Sequence, residues 1–74
     1  MSNASHTLLE EVAQLEAHAQ NQLNGRVRNL RLVVRDNGLI LQGQAHTYYA
    51  KQLAQHVVME LTWLPIQANE IEVS

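Results

Sequence analysis

The chain has 74 residues, a formal net charge of −2 at pH 7 and no cysteine. This length allows one small domain, and the absence of cysteine excludes a disulfide framework and a cysteine-ligated metal centre. The longest uninterrupted apolar runs have three residues, which excludes a helix that spans a bilayer.

The first residues of the chain are read separately from the fold. Ser-Asn-Ala at residues 2–4 resembles the remnant that removal of a tag leaves. Residues 1–6 are predicted to form a disordered terminus, partly tag-derived, and residues 7–74 a single domain. No secretory signal is visible. The chain as given is expected in the cytoplasm, or in the periplasm or envelope if an upstream signal has been removed.

The first predicted element is a helix over residues 8–23. Apolar residues recur there every three or four positions, as on one stripe of a helix. Thr7 and Glu10 have the spacing of a capping box, in which hydroxyl and carboxylate satisfy free backbone N–H groups. Asn24 and Gly25 follow, and Gly25 supplies the left-handed conformation that commonly ends a helix.

A β-hairpin is predicted over residues 30–45. Two runs of alternating apolar and polar residues flank Asn37 and Gly38, a dipeptide suited to a two-residue turn. With these two residues as the loop, Leu32 stands opposite Gly43, and inward residues of one strand meet inward residues of the other. The missing side chain of Gly43 predicts that a helix packs very close to the sheet there.

A second helix and a last strand follow. Thr47 or His46 is the expected cap of the helix, and Pro65 stops it by Leu64. Alternation over residues 69–73 predicts the third strand.

These elements predict an α+β fold in the order helix, strand, strand, helix, strand. Each helix has one apolar stripe and the strands share one apolar face. We therefore expect the two helices to pack on one face of a three-stranded mixed sheet. The other face of the sheet stays uncovered.

The hairpin, the second helix and the last strand resemble the BON domain, a small module named after bacterial osmotic-shock and nodulation proteins. Its members show an acidic-Gly turn, a strand of the form apolar-x-Leu-x-Gly-x-small and an Ala-rich helix. The matching run is DNGLILQGQAHTYYAKQLAQHV at residues 36–57, and ANEIEV at residues 68–73 matches the closing strand. Residues 63–65, Trp-Leu-Pro, stand where members carry Gly-Val. The resemblance implies a module that associates with phospholipid or the cell envelope, without catalytic residues or cofactors.

Basic residues are concentrated in and just before the first strand: residues 26–35 hold four of the five in the chain. A basic and apolar surface on the uncovered sheet face suits anionic lipid headgroups or phosphates. The candidate contact residues for an anionic ligand or a partner are Arg26, Arg28, Arg31, Arg35, Val33 and Ile40.

An alternative role for these arginines is ion pairing within the sheet. If the first strand is central, the outward Glu70 and Glu72 of the last strand pair with the two later arginines. Arg26 and Arg28 have no such partner, which makes them the better candidates for contact with an anionic ligand.

The remaining polar and aromatic residues indicate no catalytic centre. The four histidines lack metal-ligand spacing, no Ser/His/Asp arrangement is available, and no Gly-rich phosphate loop is present. We therefore expect no enzyme activity, metal or cofactor. Trp63 is interpreted as a lid on the core, with the alternative that it and Tyr48 belong to an exposed contact patch.

The function predicted from the sequence is weak, non-enzymatic binding to an anionic phospholipid surface or to a partner protein. The alternative is self-association into a homodimer through the uncovered sheet face or an edge strand. Nucleic-acid binding is disfavoured, because the rest of the chain is acidic and the strands carry no stacking aromatics.

Overall fold

A computed structural model describes residues 8–74 of the chain and the side chains from residue 10 onward. The predicted disordered terminus at residues 1–6 and the hydroxyl of the predicted capping box, on Thr7, lie outside this range. The elements are α1 (Leu8–Leu23), β1 (Val27–Arg35), β2 (Gly38–Ala45), α2 (Tyr48–Leu61), β3 (Ile66–Asn69) and β4 (Glu72–Val73). The predicted fold class and the predicted element order are confirmed, with the last strand in two parts.

β2 is the central strand of the sheet. β1 pairs with one edge of β2 in antiparallel orientation, and β3 and β4 both pair with the other edge in parallel orientation. The last strand is interrupted where Ile71 enters the core, with 1% of its surface exposed. Asn69 holds this break against α2, because its Nδ2 donates to the carbonyl oxygen of Lys51 at 3.0 Å.

Both helices pack on one face of the sheet, as the apolar stripes predict. A single apolar cluster joins α1, α2 and the inward residues of the strands. Its strand members alternate along the chain, so the residues between them face the opposite, helix-free side. The inward strand residues of the cluster are Val27, Leu30, Leu32, Leu39, Leu41 and Ala45.

The hairpin turn lies one residue earlier than predicted. Asp36 and Asn37 are its two central residues, with φ angles of 53° and 64°, and Arg35 pairs with Gly38 across it. Positive φ at both central positions defines a type I′ turn, and short Asx side chains tolerate that conformation. The predicted loop of Asn37 and Gly38 was wrong. Each β1 residue next to the turn pairs with a β2 residue two positions away from the predicted partner, so inward residues still meet inward residues.

Gly38 is needed for close packing rather than for the turn. A Cβ atom at this position would lie 2.8 Å from the carbonyl oxygen of Pro65 and 2.7 Å from the Gln67 side chain. The segment that enters β3 therefore approaches the start of β2 more closely than any other residue type would allow.

A β-bulge divides β1 into two parts. Asn29 and Leu30 together stand opposite Gly43, because Arg28 pairs with Gln44 whereas Arg31 pairs with Gln42. Asn29 has a φ of 57°, which accommodates the extra residue. The sequence prediction missed this bulge and therefore placed the start of the strand at Leu30.

Gly43 packs against the bulge and not against a helix. Its φ is 152°, and a Cβ atom there would lie 3.1 Å from the carbonyl oxygen of Arg28 and 3.3 Å from Leu30 Cα. The predicted close helix at Gly43 was wrong, because the neighbour that requires a glycine is the backbone of β1.

The helix ends follow the predicted signals. Asn24 and Gly25 have φ angles of 54° and 86° after the last residue of α1. Thr47 caps α2, since its Oγ1 accepts from the N–H of Ala50 at 3.0 Å. α2 ends at Leu61, within the limit that the proline predicts.

Candidate functional site

Three arginines share the outer, helix-free face of β1. Arg31 and Arg35 alternate with inward leucine and valine residues, and the bulge turns Arg28 to the same side by changing the parity of the strand. If the same residues formed a regular strand without a bulge, Arg28 would face the core and Val27 would face solvent. We call Arg28, Arg31 and Arg35 the arginine row. All three are exposed, as is Arg26 just before the strand.

The arginine row faces two glutamates across the width of the sheet. For two of the three arginines, Arg28 and Arg31, a glutamine of β2 stands between the arginine and a glutamate of the opposite edge. Gln42 Nε2 donates to Glu70 Oε1 at 3.4 Å. Two strand spacings separate the arginine backbone from the glutamate backbone, which is about 10 Å. The two cross-strand ladders are Arg28–Gln44–Glu72 and Arg31–Gln42–Glu70.

The conditional expectation of direct Arg–Glu pairs fails because β1 is an edge strand. Pairing of Glu70 and Glu72 with the arginines required β1 to be central, and β2 occupies that place. Among the described side chains, none of the four guanidinium groups forms an ion pair with a carboxylate. Arg26 and Arg28 therefore do not differ from Arg31 and Arg35 in this respect, and all four are equally available as contact residues.

The apolar part of the predicted contact set is less accessible than its polar part. Ile40 lies on the outer face but is only 5% exposed, flanked by its strand partners Val33 and Ala68. Val33 itself is half-buried. Ile40 is therefore removed from the contact residues, and it fills the centre of the outer face as a small apolar contact between strands.

The free edge of β1 is covered by polar side chains of α1. Gln20 Oε1 accepts from the N–H of Leu30 at 3.1 Å, and Gln20 Nε2 donates to the carbonyl oxygen of Val27 at 2.6 Å. Glu16 Oε2 accepts from the N–H of Leu32 at 2.9 Å. These bonds replace the partners that another strand would supply, so pairing of two copies is blocked along this part of β1.

Trp63 lies on the surface and is 88% exposed, so its interpretation as a core lid was wrong. The alternative patch with Tyr48 is not formed either, although Tyr48 is 64% exposed. The two aromatic residues lie at opposite ends of α2, about 20 Å apart at 1.5 Å per residue. The exposed apolar neighbour of Trp63 is Met59.

The histidines are dispersed over the surface. His18, His46 and His56 are exposed, and His6 lies outside the described residues. His56 Nε2 contacts Glu60 Oε2 at 3.1 Å, one helical turn away. Within the part of the chain that the structure describes, no three His, Asp or Glu residues come together as metal ligands would.

Comparison with known proteins places the chain in no group. No family model matches it, and neither does any curated protein or solved structure. The resemblance to the BON domain stays a prediction. Neither α1 nor α2 combines the length and the hydropathy that crossing a bilayer requires.

Proposed function

We propose that this chain is a non-enzymatic binding module whose arginine row contacts an anionic surface. Phospholipid headgroups are the first candidate, in line with the resemblance to the BON domain. The observation that carries the proposal is the bulge of β1, which brings Arg28 onto the face of Arg31 and Arg35. None of the three guanidinium groups is engaged by a carboxylate of the described residues.

The shape of the arginine row favours an extended partner over a single small anion. At 3.3 Å per residue, Arg31 and Arg35 are about 13 Å apart along the strand. Such spacing suits several headgroups of a membrane, not one enclosed phosphate. Each arginine near an anionic bilayer contributes about 1 kcal/mol. The row therefore supports weak, reversible binding that depends strongly on salt.

Co-sedimentation with vesicles tests this proposal. We expect the protein to pellet with vesicles that contain phosphatidylserine at low ionic strength, and to stay in solution with purely zwitterionic vesicles. Replacing the whole row, Arg28→Gln, Arg31→Gln and Arg35→Gln, lowers the partition about 100-fold, from the loss of about 3 kcal/mol. Lys51→Gln, which removes one positive charge outside the row, is the matched control for the single variant Arg31→Gln.

Two results would refute the proposal. Equal sedimentation with zwitterionic vesicles would show that the binding does not depend on the charge of the headgroups. An unchanged partition of the triple variant removes the role of the arginine row. A polyanion such as heparin, added in excess, should release the protein from the vesicles, since it competes for the same guanidinium groups.

A second candidate function, self-association, is favoured by the two Arg–Gln–Glu ladders. In such a dimer the outer sheet faces of two copies lie opposite each other, related by a two-fold axis parallel to β2. The arginine of each ladder then lies opposite the glutamate of the same ladder in the partner. The ladders are therefore complementary to themselves. Exposed ion pairs contribute about 0.2–1 kcal/mol each, so this association is weak and needs high protein concentration.

Charge reversal separates this second function from anion binding. We expect the variants Arg28→Glu with Arg31→Glu and Glu70→Arg with Glu72→Arg to be monomers when each is alone. Mixed together, they should form a heterodimer that light scattering detects. A mixture that stays monomeric at concentrations where the unmodified chain associates would rule out this geometry.

A further inference from the structure

The end of α2 carries an exposed apolar surface that neither the core nor the arginine row uses. Trp63 is 88% exposed and Met59 is 56% exposed. Leu61 and Leu64 beside them are half-buried and pack against the core. We call these four residues the Trp63 surface. An exposed tryptophan in an apolar setting is the type of residue that most often anchors a protein contact.

The backbone holds Trp63 in its outward position. Thr62 is extended, with a φ of −148°, and its N–H donates to the carbonyl oxygen of Val58 at 3.2 Å. The N–H of Leu64 donates to Thr62 Oγ1 at 3.2 Å, and the carbonyl oxygen of Pro65 accepts from β2 at 2.8 Å. Leu64 therefore points toward the core while Trp63 points to solvent. Because the backbone around Trp63 is already fixed, little backbone freedom is lost when a partner covers the side chain.

Trp63 forms a ridge between two open hollows. The hollow on the α1 side has a volume of about 250 Å³ and is lined by Val12, Leu15 and Leu61 among others. The hollow on the β3 side has a volume of about 430 Å³, with Met59 and Ile66 in its wall. A partner that crosses the ridge can place one apolar side chain on each side of the indole ring.

The charge around the Trp63 surface is acidic. Residues 1–25 and 52–74 contain no lysine or arginine at all. Glu60 lies between Met59 and Leu61 in the chain, with 70% of its side chain exposed, and Glu11 lines the smaller hollow. A cationic partner is therefore attracted to this end of the molecule, and an anionic one is repelled.

We propose that the Trp63 surface binds a cationic amphipathic helical segment of another protein. Its apolar side chains enter the two hollows, as in helix-in-groove recognition. Its basic residues are attracted to Glu11, which lines the smaller hollow, and to Glu60, which neighbours Met59 in the chain and contacts His56. A second copy of this chain does not fit, because its own Trp63 surface is acidic and its basic β1 face exposes no large apolar side chain. An anionic bilayer does not fit for the same reason of charge.

A model peptide tests the proposal. The probe is a labelled helical peptide of about 18 residues, five turns, with leucine along one face and lysine on the other. We expect its fluorescence anisotropy to rise on addition of the protein at low ionic strength. Trp63→Ala weakens the binding about 30-fold or more, as truncation of a central anchor does. Glu60→Gln weakens it by up to about fivefold.

Matched variants make the result decisive. Tyr48→Ala removes an exposed aromatic side chain from the opposite end of α2 and should leave the affinity unchanged. The triple glutamine variant of the arginine row should also bind the peptide normally, which separates this surface from the anion-binding face. Because Trp63 is the only tryptophan in the chain, its emission should shift to shorter wavelength when the unlabelled peptide covers it.

Three results would overturn the proposal. One is equal affinity for a peptide in which every lysine is replaced by glutamate. Another is an unchanged affinity of the Trp63→Ala variant, whose folding is checked by circular dichroism. The last is an equal loss of affinity in the Tyr48→Ala control.

Discussion

Two glycines of β2 lie close to neighbouring segments, Gly38 too close for a Cβ atom and Gly43 with little room for one. At Gly38 the neighbours are Pro65 and Gln67, on the segment that enters β3, and at Gly43 the neighbour is the bulged backbone of β1. Gln67 can move aside, since it is a flexible side chain, but the Pro65 carbonyl cannot, because it accepts the N–H of Leu39 at 2.8 Å. The central strand is therefore approached closely from both edges.

Replacing Gly38 by alanine should destabilise the protein. The substitution Gly38→Ala brings a Cβ atom to 2.8 Å from the Pro65 oxygen, so the chain entering β3 has to shift. We expect the free energy of unfolding to fall by about 1–3 kcal/mol, as in other overpacked sites. Urea denaturation measures this change.

The neighbouring turn provides the control. Asn37→Gly lies at a φ of 64°, which glycine adopts without steric cost. We expect stability to change by no more than about 0.5 kcal/mol. An equal decrease in the free energy of unfolding for Gly38→Ala and Asn37→Gly would contradict this prediction. The effect at position 38 would then not be specific to the close approach of Pro65.

At the scale of elements, α1 protects the sheet as well as covering the core. An edge strand exposes unpaired backbone groups to which another chain can add. Glu16 and Gln20 accept from the N–H groups of Leu32 and Leu30, so the helix supplies partners that a neighbouring strand would otherwise provide. Both side chains lie on the flank of the apolar stripe, one turn apart.

We expect Glu16→Ala to destabilise the protein by about 1–3 kcal/mol, because the part-buried N–H of Leu32 loses its acceptor. Glu16→Gln keeps an acceptor oxygen at the same place and should cost clearly less. Chemical denaturation compares the two variants, and light scattering reports any oligomer that forms through the opened edge. Equal losses for alanine and glutamine would mean that the hydrogen bond to β1 contributes little.

At the scale of the whole molecule, basic and acidic residues lie in different parts of the fold. Every arginine lies in or just before β1, whereas the helices carry four of the seven acidic residues, with Lys51 as their one basic residue. The outer face of the sheet repeats this division on a smaller scale, with arginines at one edge and glutamates at the other. An anionic surface therefore meets attraction at β1 and repulsion about 10 Å away.

Removing the repulsion should strengthen anion binding. We expect Glu70→Gln with Glu72→Gln to raise the partition to phosphatidylserine vesicles at low salt by a few-fold. The gain should vanish near 0.1 M salt, where the Debye length is about 10 Å. Glu60→Gln, on the helical layer, is the matched control for Glu72→Gln alone and should change the partition less. Equal effects of the two substitutions would indicate that net charge, and not the sheet face, governs the binding.

Local patterns predicted the elements well. The apolar stripe of α1, the cap at Thr47 and the left-handed Gly25 all depend on residues within one or two helical turns of each other. The outward exposure of the arginines was also predictable from alternation, except for Arg28, whose direction depends on the bulge.

Other features could not be predicted because they depend on contacts between distant segments. Gly38 lies outside the turn, in β2, where the carbonyl oxygen of Pro65 on a distant segment would be 2.8 Å from a Cβ atom. The exposure of Trp63 follows from the hydrogen bonds that tie residues 62–65 to α2 and β2. A tryptophan next to an apolar helix is buried in many proteins, and its sequence context alone does not distinguish the two outcomes.

The elements, the apolar faces and the concentration of arginine before and within β1 follow from the sequence, because they depend on periodicity and on near neighbours. The central place of β2 and the edge position of β1 follow from the packing of the folded chain. That order separates the arginines from Glu70 and Glu72. Strand order depends on which distant segments fit beside each other, and here that fit depends on Gly38, Gly43 and the break at Ile71.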